Sequence, residues 1–356
     1  MAEFDVVVVG GGAVGTSALH HLMARGAKSA LLLERLDGYG RGATGIWGSL
    51  VRMFYERQAT TESASEAVPF YVDFEREVGA PCPWNRIGSL YFLKRSDLPR
   101  YERHLAALTR SGLAFELVDP VQGRRQFPEF AWFEEDVAVY EPNAGVGSPR
   151  ETTEAFLRSA LRRGAKAELD AEVVEILVEG DRATGVLTRG GARHTCAQLI
   201  VCAGIWTNRL LEPTGERIAT FPLSLQLNRF SRLQGARRHP FFIDLPALTF
   251  GHPTGSGSFI GGYQGVVLDP GHGGVEHLSP AVANQAKHKL SARIPWLKHA
   301  TLEGGIKALE SYTESSVGLV ERLPRLTNVI VSSGWSCSGF TLAPVIGRRI
   351  AELALG

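Results

Sequence analysis

Residues 4–15 read Phe4-Asp5-Val6-Val7-Val8-Val9-Gly10-Gly11-Gly12-Ala13-Val14-Gly15, and this stretch decides the fold. Four consecutive valines predict a strand covered on both faces, as inside a parallel sheet. Gly10, Gly12 and Gly15 form G-x-G-x-x-G, and a helix is expected over 16–25, with Ala18, Leu19, Leu22 and Met23 on one face. Gly26 suits the left-handed residue that follows a helix. Residues 30–33 are a second apolar run, closed by Glu34. Strand, glycine triplet, helix, strand and acid in this order form a βαβ unit of the kind that holds a dinucleotide. Gly10 permits the tight turn, Gly12 lets backbone approach a pyrophosphate, and Gly15 allows close helix–strand packing. The helix amino terminus supplies unpaired N–H groups and a positive dipole end. Glu34 stands where an acid binds ribose hydroxyls, and an acid there disfavours the 2′-phosphate of NADP.

Outward from this unit, residues 37–49 are rich in glycine (Gly38, Gly40, Gly42, Gly45, Gly48) and read as a loop. A helix over 62–78 is expected to kink or split at Pro69. Strands are expected at 89–93, 172–178, 183–187 and 198–202, and helices at 98–111, 149–163 and 280–293. Between 220 and about 265, alternating stretches such as Ser224-Leu225-Gln226-Leu227 predict an antiparallel sheet. The end repeats the opening pattern: strand 329–332, a loop from Gly334 to Gly339, then a helix over 344–355. The middle of the chain thus reads as a second domain inserted in two pieces.

Composition narrows the classes. A length of 356 residues fits about two domains. The 44% hydrophobic and 21% charged content argues against disorder. Basic and acidic side chains number 38 and 37, so the chain lacks the footprint of a nucleic-acid binder. Cys82, Cys196, Cys202 and Cys337 form no zinc or disulfide pattern, which fits a reduced, cytoplasmic setting. No metal site is expected. No run reaches the ~18 apolar residues of a membrane helix, so no membrane insertion is expected.

Four blocks together resemble the glycine oxidase, sarcosine oxidase and D-amino-acid oxidase superfamily of FAD-dependent amine oxidoreductases. They are the opening V-V-V-G-G-G-A-V-G…L-L-L-E-R, the loop G-A-T-G…G-S-L-V-R at 42–52, the strand L-I-V-C-A-G-I-W-T at 199–207, and S-S-G-W-S-C-S-G-F-T-L-A-P-V-I-G at 332–347. The resemblance implies an α/β fold: a Rossmann-type FAD-binding domain (1–80, 149–215 and 305–356) with a discontinuous α+β substrate domain (81–148 and 216–304) built on an antiparallel sheet. FAD would lie extended, its adenosine end at Gly10, Gly12, Ala13, Val14, Gly15, Glu34 and Arg35, with Val173 beside adenine. Gly42, Ala43, Thr44, Ala203, Gly204 and Trp206 would border the pyrophosphate and flavin. Gly334, Gly339, Phe340 and Thr341 would face the pyrimidine side of the ring, where donors stabilise developing negative charge. Trp206 and Trp335 also read as core aromatics.

The chain departs from the pattern at chemically telling places. Sarcosine oxidases bind flavin through a cysteine two residues before a Tyr-Thr pair; here Glu310 precedes Tyr312-Thr313 in that way, so noncovalent FAD is expected. Glycine and D-amino-acid oxidases place a carboxylate-binding arginine in this segment, again at Glu310. Sarcosine oxidases use an arginine, matched by Arg52, and a lysine, whose position holds Thr341. Glu310 is therefore expected to attract a cation, to pair with Arg52, or to face solvent. An oxygen-activating lysine aligns near Ile260, with His252, Arg229 or Arg232 as replacements for its charge; His252 in a Gly-His-Pro turn reads first as structural.

The leading expectation is oxidation of an amine or amino-acid C–N bond to an imine by hydride transfer, with oxygen or another electron acceptor as partner. The amine must be neutral, which a desolvated site favours. Arg52, Glu310, Tyr263, Tyr312 and Thr341 are the expected substrate-side residues. The rate is expected to rise with pH as substrate deprotonates. A 2-hydroxy-acid dehydrogenase would need a base, for which His252 and His272 are the candidates. A non-catalytic flavoprotein subunit is the third reading.

Overall fold

A computed structural model describes residues 3–46, 49–82, 84–231, 238–254, 257–263 and 278–356. Gly48, Arg232 and His272 lie outside them. The opening sequence forms strand Phe4–Val9, helix Ala13–Ala24 and strand Ala30–Leu33. The helix begins three residues before the expected start because Gly12, in an extended conformation, already serves as its N-cap.

Strand Phe4–Val9 lies between two parallel neighbours, pairing Val6 with Ala30 on one side and with Gln198 on the other. That is why all four valines are buried. Strand Arg193–Val201 continues the parallel order into Val329–Ser333. Hairpin Val173–Glu179 and Arg182–Thr188, strand Leu319–Arg322 and edge strand Lys166–Glu168 complete an eight-stranded mixed sheet.

The second sheet also has eight strands, in the order Leu302–Tyr312, Phe221–Ser231, Ser258–Tyr263, Thr249–Pro253, Phe241–Asp244, Ser89–Lys94, Asp136–Glu141 and Glu116–Val118. Every pairing is antiparallel except Phe241–Asp244 with Ser89–Lys94. The boundary expected at 304/305 falls inside Leu302–Tyr312, which pairs along its length with Phe221–Ser231. A small sheet of Leu50–Val51, Gly145–Gly147 and Trp84–Asn85 joins stretches from both sides of that division.

Two prolines behave differently from their sequence expectation. Pro69 sits within helix Gln58–Val72, and the break comes later, at Asp73. Pro344 lies inside helix Gly339–Leu355, which starts five residues before the expected 344. Proline cannot donate to the carbonyl four residues back. That carbonyl, Phe340 O, instead accepts the Tyr71 hydroxyl. A tertiary hydrogen bond replaces the missing helical one.

Helix Ala13–Ala24 also carries an acid-sensitive pair. Burial holds the His20 imidazole down to about 4, with Arg163 and Arg162 adding to the effect. Burial, then His20, Arg348 and Arg25, hold His21 down to about 3, against the opposing Pro344 carbonyl. Both rings are uncharged when folded and titrate near 6.5 when unfolded. Their stabilisation is therefore fully present above pH 6.5 and is lost as pH falls towards the folded values. By pH 5 each costs about 2 kcal/mol. Urea unfolding should show this loss between pH 7 and 5, and His20→Asn should shrink it; equal midpoints at both pH values would contradict it.

Candidate cofactor and substrate site

One cavity of about 850 Å³ runs from the glycine turn to the face of the second sheet. That is a size suited to a large ligand. Its first wall is built by the opening unit. Gly10 has φ +109°, and a Cβ there would stand 2.4 Å from Cys202 O. Gly12, Ala13, Val14 and Gly15 line the cavity, where first-turn N–H groups lack intrahelical acceptors. Thr44 Oγ1 accepts the Ala13 N–H at 3.1 Å, which brings the loop of Gly42, Ala43 and Thr44 against the helix end. Glu34 is buried at the rim of this wall. Its Oε2 accepts Gly11 N–H at 2.6 Å and its Oε1 accepts Leu36 N–H at 2.9 Å, so its orientation is set by backbone.

Arg35, Val173 and Trp206 line one side, and Ala203 and Gly204 line the stretch towards the closing loop, where Gly204 O accepts the Ser333 hydroxyl at 3.1 Å. The Arg35 guanidinium lies 3.6 Å above the Trp206 ring. That stacking ties Trp206 to the Glu34–Arg35 side of the cavity.

At the other end the closing loop turns around the cavity. Gly334 has φ +76°, and Ser336 and Cys337 also take left-handed conformations, at φ +48° and +64°. Non-glycine residues hold such angles only under tertiary constraint. Here Ser336 N–H donates to Ser311 O at 3.2 Å and Cys337 N–H donates to Glu310 Oε1 at 2.8 Å. Gly334, Gly339 and Phe340 line the cavity.

Thr341 does not. Its hydroxyl donates to Leu50 O at 2.6 Å and accepts from Tyr55 at 2.8 Å, fastening the closing helix to the small sheet. Tyr263 is likewise not brought to the cavity. Along Ser258–Tyr263 alternate residues face opposite ways, so Ile260 lines the cavity and Tyr263 faces away. Its hydroxyl donates to Gln285 Oε1 at 2.6 Å, among Phe259, Ala286 and Leu290.

Arg52, Glu310 and Tyr312 do meet the cavity. Arg52 donates to Phe54 O and stacks 3.6 Å from the Tyr55 ring and 5.4 Å from that of Tyr91. Buried Glu141 accepts the N–H groups of Met53 and Phe54 at 2.7 and 2.9 Å, which locks the segment after Arg52. Glu310 neither pairs with Arg52 nor faces solvent. It is 8% exposed, and its Oε2 accepts no hydrogen bond from any described residue. Burial raises its carboxyl above the usual range. Tyr312 Oη lies 3.0 Å from Cys337 Sγ.

Between these poles the sheet presents an apolar floor of Leu225, Leu227, Ile243, Phe250 and Ile260. His252, whose Gly-His-Pro turn reads first as structural, pairs directly with Ile260 and also joins this floor. Its Nδ1–H donates to Pro253 O at 3.1 Å, and Nε2 has no partner among the described residues. Burial lowers its pKa, so it supplies no fixed charge beside Ile260 at neutral pH. Arg229 is half exposed, lies 3.9 Å from Glu303, and does not line the cavity. Tyr55, Tyr91 and Cys337 are additions that sequence reasoning missed. Only the placing of Cys337 within the closing block offered a signal.

A glycine turn opening a helix, an acid after the second strand and a cavity continuing onto a largely antiparallel sheet define a two-sheet dinucleotide-binding protein. The chain belongs to the DAO family, FAD dependent oxidoreductase, whose model matches residues 5–353. It is 28% identical over 370 residues to a monomeric sarcosine oxidase of Streptomyces avermitilis, covering 99% of this chain and 94% of that one. It is 26% identical to a 4-methylaminobutanoate oxidase (formaldehyde-forming) of Paenarthrobacter nicotinovorans, with 97% of this chain but only 43% of that protein covered. The L-proline dehydrogenase from P. horikoshii shares the fold, with TM-score 0.88, 23% identity and 99% and 94% of the two chains covered. Among the described residues no helix is long and apolar enough to cross a membrane, and no group of histidine, cysteine and acidic side chains could hold a metal.

Proposed function

We propose that this protein oxidises the C–N bond of a carboxylate-bearing amine to an imine, using noncovalently held FAD. The observation that carries the reading is Arg52: a guanidinium stacked on Tyr55 and bonded to Phe54 O, with no carboxylate at ion-pair distance among the described residues, opening onto an apolar cavity continuous with the glycine turn. Such a group suits a substrate carboxylate. The substrates named for the relatives (sarcosine, 4-methylaminobutanoate and L-proline) are secondary amines that carry one.

The residues present fit the cofactor. Glycines whose Cβ would strike backbone, orphaned first-turn amides and a buried acid at the ribose position form one continuous cradle. In this assignment Gly10, Gly12, Ala13, Val14, Gly15, Gly42, Ala43 and Thr44 hold the pyrophosphate, and Glu34, Arg35, Val173 and Trp206 the adenosine. Ala203, Gly204, Gly334, Gly339 and Phe340 border the ring, and Thr341 positions Tyr55. When bound, FAD supplies a two-electron acceptor for hydride from the carbon beside nitrogen. The chain's part is to seat the carboxylate on Arg52 and to exclude water with Leu225, Leu227, Ile243 and Ile260, which favours the neutral amine. Cys337 lies beside Glu310 with its thiol raised by burial, a poor nucleophile, which supports noncovalent flavin. Four free thiols suit a reducing, cytoplasmic compartment. Oxygen or another acceptor would reoxidise the flavin.

The test is anaerobic bleaching of the flavin by sarcosine, glycine, L-proline and 4-methylaminobutanoate, followed by denaturation. Expected are bleaching by at least one of them and release of free FAD. Bleaching by none of these amines, or flavin that stays with the polypeptide, would count against the corresponding half of the proposal. A second reading, oxidation of a 2-hydroxy acid, rests on the unpartnered Nε2 of His252 as base; bleaching by lactate alone would favour it.

A further inference from the structure

We propose that Glu310 is the group that receives the substrate's ammonium, holding it through Oε2 and taking its proton. This rests on the amine reading above. The observation is the carboxyl itself. It is more than nine-tenths buried and lines the cavity; one oxygen accepts Cys337 N–H, and the other meets no donor of hydrogen-bond geometry among the described residues, the Cys337 thiol being the neighbouring group that a ligand N–H would displace or join. A buried acceptor without a donor is costly, and a ligand N–H group removes that cost.

The layout fits an amino acid. Cys337 lies within electrostatic reach of both Arg52 and Glu310, and all three line the cavity. A carboxylate on Arg52 leaves the neighbouring ammonium near Glu310, which is buried, whereas Glu56, which also lines the cavity, is exposed. Among the described residues, the elements that pack most on its strand bring few other titratable groups. Its own strand presents Tyr312, and the closing loop presents Cys337. Strand Phe221–Ser231 presents Leu223 opposite it. Helix Ala43–Ile46 and the turn Gly204–Trp206, which pack on the same strand, carry no titratable side chain. Burial raises the carboxyl, which brings its proton affinity closer to that of an amine. In the step, one ammonium N–H bond breaks and an O–H bond forms on Glu310. The nitrogen keeps its electron pair, ready to form the imine.

The probes are α-aminoisobutyrate, which has an ammonium but no hydrogen on its α-carbon, and isobutyrate, in which a hydrogen replaces that ammonium. Both are titrated into the holoenzyme at pH 7 and followed by the visible flavin spectrum. The wild type should bind α-aminoisobutyrate at least roughly tenfold more tightly, a difference of about 1.4 kcal/mol. Glu310→Gln should abolish that preference and Glu310→Asp should keep part of it. With whichever screen amine bleaches the flavin, Glu310→Gln should move the controlling pKa of the reduction rate up to that of the free ammonium, about 10 for an alkylamine. An unchanged preference or an unchanged pH profile in Glu310→Gln overturns the proposal. If no amine bleaches the flavin, the reading of the activity fails, while the binding preference still judges Glu310. If Glu310→Gln does not fold, Glu310→Asp reports on both readouts.

Discussion

Arg293→Met should destabilise the protein by about 3–5 kcal/mol, the usual penalty for stripping the partner from a buried charge. The arginine closes helix Pro280–Arg293 and its side chain is 2% exposed. Its Nε donates to Asp244 Oδ2 at 2.6 Å, its Nη2 to Asp136 Oδ1 at 3.2 Å and its Nη1 to Ala131 O at 2.7 Å. The guanidinium also lies 4.0 Å over the Phe92 ring. One cation thus ties the helix to strands Asp136–Glu141 and Phe241–Asp244, and its loss leaves two buried carboxylates facing each other without a counter-charge. Urea unfolding of the holoenzyme measures the effect. Adding Asp136→Asn and Asp244→Asn to the same chain should recover part of the loss, because the repulsion then disappears. A change under about 1 kcal/mol, the value of a surface pair, would show that water reaches these groups.

Gly15→Ala should give folded protein that has lost its flavin. A Cβ at this position would stand 1.9 Å from Gly10 O, and the obstacle is backbone, not a flexible side chain. Either the turn opens or the helix moves away from it, and both displace the amides that would hold the pyrophosphate. Overpacking of this kind costs about 1–3 kcal/mol. Charged to cofactor binding, that is roughly a tenfold to hundredfold weaker hold on FAD. The ratio of visible to ultraviolet absorbance after purification reads it, with far-ultraviolet circular dichroism showing that the fold persists. Stoichiometric flavin in the variant would mean that the glycine turn does not carry the cofactor.

Much of the site was legible because its determinants are contiguous. A buried parallel strand, a glycine turn and a helix start are set within a dozen residues, where period and backbone freedom act locally. The closing loop was legible for the same reason. The substrate side was not. Whether a residue of the second sheet meets the cavity depends on parity and on register between distant strands, and a shift of one residue reverses every side chain. Tyr263 falls on the outward parity and Ile260, three residues earlier, on the inward one. Thr341 reads as a ring contact until its hydroxyl is seen between Leu50 and Tyr55.

By itself, then, the sequence determined the dinucleotide-binding unit, the family and the presence of a second, interrupted domain, all of which follow from local pattern and ordered blocks. Only the tertiary structure decided that Glu310 is buried with one oxygen unpartnered among the described residues, that His252 belongs to the cavity floor, and that Arg52 rests on Tyr55. Those facts arise where chain segments far apart in sequence meet. There, burial and the available partners set a side chain's role, and residue type alone does not.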